Sequence, residues 1–114
     1  MAKLPDETLT TIFTLQRQIA SGIEEASAVE WALLEQYGET EATIPELEEL
    51  QNARERLSAP YSRLHTLLLR ILESQPAVST AMLNLLVQTI EQSRPALDAA
   101  QASVQEIKRN WNLP

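Results

Sequence analysis

His65 is the only histidine in the chain, so proton transfer or metal binding by imidazole has one place to occur. Ser62 stands three residues before it, where a di-iron helical bundle needs the glutamate of a Glu-x-x-His motif. One histidine excludes multi-histidine metal sites and leaves little for His-based catalysis. Cysteine is absent, which removes thiolate zinc sites, cysteine nucleophiles and disulfide scaffolds together. The adjacent carboxylates Glu24–Glu25 and Glu48–Glu49 point to different faces of a helix and make poor acid/base pairs. The two aspartates, Asp6 and Asp98, cannot form a calcium loop. Gly22 and Gly38 have no glycine neighbour at phosphate-loop spacing. No catalytic residue, metal ligand or cofactor is therefore assigned, and His65 reads as a boundary residue beside an apolar stripe.

Two charged residues do fall where chemistry is conceivable. Glu30 and Arg54 sit in line with the apolar positions of the first and second helices described below, at about the same height. They are expected to form an ion pair across that interface, fixing register. With Gln16 they define the alternative reading, a small all-α enzyme or ligand binder with a polar core. Such a site needs a cavity lined by these groups and several core-facing bases, and Arg54 is the only clear one.

The elements that must position these residues are helices. Leu, Ala, Glu and Gln dominate, aromatics are 4%, and glycine occurs twice. The first helix is predicted from Pro5, with Asp6 and Glu7 in the first turn where the helix dipole favours anions. Its stripe is Leu9, Ile12, Ile19, Ile23, Ala26, Leu33, Tyr37, with Gln16 and Glu30 in the gaps, and Gly38 ends it in the left-handed conformation. Thr43-Ile44-Pro45-Glu46 reads as a capping box with proline in the first turn. The second stripe is Leu47, Leu50, Arg54, Leu57, Tyr61, Leu64, Leu68, Ile71, alternating steps of three and four as coiled-coil seams do. Ser74-Gln75-Pro76 breaks the chain, with Ser74 available as a cap. The third stripe is Leu83, Leu86, Ile90, Ser93, Leu97, Ala100, Val104, Ile107, Trp111. Pro60 and Pro95 fall inside these patterns. The phase of each stripe survives its proline, which predicts kinks rather than helices split and recapped at Ser58 and Ser93. The whole, residues 1–114, is expected to be one elongated, antiparallel, coiled-coil-like three-helix bundle.

Charge and apolarity then separate along that bundle. The chain of 114 residues carries 9 bases and 16 acids, a net charge of -7. That argues against nucleic acid, whose backbone needs clustered Lys and Arg. Between Glu24 and Glu49 there are nine acids and no Lys or Arg. This up-down-up topology gathers Trp31, Tyr37, Glu39, Glu41 and Trp111 at the same end, with Lys108 and Arg109 nearby. They read either as a solvated charged face over core aromatics or as a docking end for a basic protein partner. At the opposite end Leu69, Leu72, Met82 and Leu85 flank the seams. Leu69 and Leu85 lie outside any one stripe, so they predict exposed apolar surface and a homodimer pairing two hairpins. The next alternative is a partner helix docking there, and the last is that the proline kinks rotate these leucines inward. No signal peptide opens the chain, no run suits a bilayer span, and the polar faces are too acidic for membrane binding. The expected protein is a cytoplasmic, non-enzymatic protein–protein interaction module, an adaptor, assembly factor or small subunit.

Overall fold

The computed structural model describes residues 4–114. Three helices account for it: α1 Asp6–Tyr37, α2 Ile44–Glu73 and α3 Thr80–Asn110. They pack as an elongated three-helix bundle 56 Å long and about 20 Å across. The expected all-α, antiparallel architecture is what forms. No helix among the described residues is long and apolar enough to cross a membrane.

Both interior prolines sit within unbroken helices. Ser58 and Ser93 cap nothing. Their hydroxyls donate back to the carbonyls of Arg54 and Thr89 one turn earlier, the usual role of a mid-helix serine.

The core follows the 3–4 alternation, but alternate positions on α1, and single positions on α2 and α3, are displaced by one residue from the predicted stripes. On α1 the buried line is Ile12, Leu15, Ile19, Gly22, Ala26, Val29, Leu33. Leu15, Gly22 and Val29 hold the positions expected for Gln16, Ile23 and Glu30. On α2, Ala53 and Leu67 are buried, while Arg54 and Tyr61 stand on the flank. On α3, Thr89 joins Leu86, Ser93 and Leu97. At Gly22 the reason is steric. The helices come so close there that an added Cβ would lie 2.9 Å from Leu57 Cδ1 and 3.3 Å from Leu97 Cδ1. Close layers need small residues, and small residues carry little hydropathic signal.

The helix ends also depart from expectation. Thr43 precedes α2 but makes no capping bond. Its hydroxyl instead donates to the Gly38 carbonyl at 2.8 Å and accepts from the Thr40 amide at 2.8 Å, closing the loop between α1 and α2. Gly38 has positive φ (72°), as expected, but ψ of -172° places it in an extended mirror region open almost only to glycine, not in the left-handed helical one. Ser79 rather than Ser74 caps α3, accepting from the Met82 amide at 3.2 Å. Ser74 ends α2 and donates to the Arg70 carbonyl.

Candidate functional site

The layer of Gly22, Leu57 and Leu97 divides the bundle into an upper half, holding the α1–α2 loop, and a lower half. The upper half holds twelve acids and four bases; among the described residues the lower half holds four of each. The chain's negative charge is thus an upper-end property.

At the upper end the aromatic residues have separate fates. Tyr37 and Trp111 meet edge to face, ring centroids 5.0 Å apart. The Tyr37 hydroxyl donates to the Trp111 carbonyl at 3.0 Å. The Trp111 indole N–H donates to Glu46 at 2.8 Å. This cluster joins the end of α1, the start of α2 and the end of α3. It also takes the glutamate that the capping box would have used. Trp31 is not part of it and stands 68% exposed on the outer face of α1. Glu39 and Glu41 are exposed on the loop. Lys108 reaches Glu25 at 2.7 Å, tying α3 to α1.

Arg54 Nη2 lies 3.1 and 3.3 Å from the two Glu30 oxygens. The pair crosses from α2 to α1 as read from the spacing, but at the rim of the seam, with side chains 35% and 26% exposed. Val29 and Ala53 occupy the core positions beside it. Arg54 Nε is buried without a partner. Glu30 itself lines a cavity with Leu34, Glu39, Ile44, Leu47, Glu48 and Gln51, and neither Arg54 nor Gln16 lines it. Glu30, Arg54 and Gln16 therefore do not line this cavity together. No cluster of three metal-ligating side chains occurs among the described residues.

This cleft, about 280 Å³ between α1 and α2, escaped the sequence analysis. Leu34 and Ile44 are 37% and 40% exposed on its walls. Ile44 went unassigned because it reads as part of a helix start, and Leu34 because Leu33 beside it belongs to the core. A second groove, about 420 Å³, runs between α1 and α3 past Ser21, Gly22, Glu25, Gln101, Val104 and Gln105.

At the lower end Leu69, Leu72, Leu85 and Val87 are each about half exposed, from 49% to 52%. The proline-containing helices therefore do not turn Leu69 and Leu85 inward. Met82 differs: it is partly buried against the core. The remaining leucines do not share one face. Leu72 follows Arg54 by 18 residues, about five helical turns, so it lies on the line that faces α1. Leu85 lies about 140° round α3 from Lys108, the residue that faces α1. The register set by Glu30 and Arg54 brings another residue level with Leu69 and Leu72. This is Phe13, 55% exposed on α1. Phe13, Leu69 and Leu72 thus lie level with one another, on the α1–α2 side. Phe13 was missed because it fits no stripe, which is also the signal that marks it.

No family model matches the chain, and no curated protein or solved structure matches it either.

Proposed function

We propose that this chain is a protein–protein interaction module that self-associates through its lower end and presents its acidic upper end to a partner. One observation carries the reading: Phe13, Leu69 and Leu72, each 49% to 55% exposed, lie level on the α1–α2 side of a half-molecule whose described residues balance acids and bases. Isolated exposed leucines are ordinary, but large apolar side chains grouped on one surface favour an interface. A second copy is the natural occupant. Pairing the lower halves end to end keeps the two acidic upper halves apart, whereas contact between two upper halves brings like charge together.

The adaptor role follows from the same separation. Contact with a copy and contact with a partner use opposite ends and do not compete. The packed core, and a cavity at Glu30 that neither Arg54 nor Gln16 lines, favour this reading over catalysis.

Sedimentation equilibrium across the micromolar range tests it. Wild type is expected to sediment as a dimer, and the double variant Leu69→Glu, Leu72→Glu as a monomer with unchanged helical content. Leu85→Glu, on the far side of the hairpin, is expected to remain dimeric. A wild type that stays monomeric throughout would falsify the self-association.

A further inference from the structure

We propose that the α1–α2 cleft at the upper end binds one amphipathic helix of a partner protein, apolar along one stripe and basic along both borders. The proposal rests on the reading of this chain as an interaction module and names the chemistry of the partner.

The floor of the cleft is apolar. Leu34 comes from α1, and Ile44 and Leu47 come from the first two turns of α2. Leu34 and Ile44 remain more than a third exposed although each adjoins a packed seam. The rim is acidic. Glu39 rises from the loop and Glu48 from α2, both exposed. Among the described residues neither takes part in a salt bridge: Glu30 is held by Arg54 and Glu49 by Arg56. Trp31 adds an exposed indole about one turn before Leu34, on the same side of α1.

Each feature limits the occupant. A volume of about 280 Å³ lies at the lower edge of small-molecule sites, roughly 300–1,000 Å³, and suits one or two inserted side chains. The apolar floor between two parallel ridges favours a helix presenting residues at i, i+3 or i+4, and i+7. The unpaired carboxylates on the rim favour Lys or Arg on the borders of that stripe. A border cation near Trp31 gains the face of the indole as well. An acidic or neutral helix would leave Glu39 and Glu48 facing nothing, and a purely basic extended segment would leave Leu34 and Ile44 in water.

The test uses the full chain, labelled with nitrogen-15, and three synthetic helical peptides. One carries a leucine stripe bordered by lysines. The second has the same composition scrambled. The third has glutamate for every lysine. The first is expected to shift the amide signals of Leu34, Ile44 and Leu47, and the other two to leave them unmoved. Glu39→Lys with Glu48→Lys is expected to weaken binding by about tenfold or more, as lost charge complementarity does. Ile44→Ser is expected to weaken it severalfold at unchanged charge. Equal binding of the scrambled peptide, or shifts spread over every exposed acid, would show general electrostatic attraction and overturn the proposal. Signals moving at Phe13 and Leu69 instead would overturn it too. Sedimentation of the same samples separates the two readings. A chain that dimerises but ignores the striped peptide loses the cleft proposal and keeps the self-association.

Discussion

Arg54 shows how one side chain can look central in a sequence and contribute little to stability. Its side chain and that of Glu30 remain 35% and 26% exposed, and solvent-exposed pairs contribute roughly 0–1 kcal/mol. Its Nε is buried without a partner, which costs about 1–3 kcal/mol in a folded protein. The two effects oppose each other. Arg54→Met is therefore expected to change unfolding free energy by less than about 1 kcal/mol, measured by urea denaturation; a loss twice that size would place the pair inside the core. Gly22 is the contrasting case. A Cβ there already meets Leu57 Cδ1 at 2.9 Å, and the branched carbons of valine have no space among packed leucines. Gly22→Val is expected to destabilise by about 2–3 kcal/mol, typical of overpacking. The spacing at this position predicted Ile23, not Gly22, as the inward residue, and Arg54 rather than Ala53. Hydropathy reads the size of apolar side chains, whereas a close helix crossing is built from the lack of one. The chemistry at these residues was legible as a pair; its depth was not.

At the scale of the element, the long 3–4 alternation made all three helices and their order readable, because burial of one stripe per helix outweighs local propensity. The two prolines were readable for the same reason, since a split would have shifted the phase. The helix ends were less so. Thr43 and Glu46 have the spacing of a capping box, yet both side chains are taken by partners from outside the α2 turn, Gly38 and Trp111. Such partners arrive only with the tertiary fold. Pro95 gives a test of what an interior proline costs here. It is exposed, so replacing it loses little packing, and alanine restores an N–H to the helix. Relief of about 3 kcal/mol in an isolated helix is offset by about 1 kcal/mol of added freedom in the unfolded chain. Pro95→Ala is expected to raise stability by about 1–2 kcal/mol. Pro60 is half-buried in the seam, so Pro60→Ala should gain less. Thermal melts that rank the two variants the other way round would mean that α3 needs its proline to follow the bundle.

At the scale of the molecule, charge and apolarity are segregated along a body 56 Å long, and the two surfaces should answer salt in opposite directions. The upper half, twelve acids to four bases, repels itself and repels the same half of any other copy. The Debye length falls from roughly 30 Å at 0.01 M to about 3 Å at 1 M, so added salt removes that repulsion. Contact through Phe13, Leu69 and Leu72 involves no net charge and loses nothing in exchange. Self-association is therefore expected to hold or tighten as sodium chloride rises from about 0.01 M to about 1 M. Binding of a lysine-bordered helix at Glu39 and Glu48 is expected to weaken over the same range, because its attraction is between exposed charges. Sedimentation and peptide titration on one set of buffers measure both slopes. Opposite signs support two independent surfaces at opposite ends. If both interactions weaken together, the copies are held by charge as well, their acidic and basic patches meeting, and the lower-end contact is not the one that joins them.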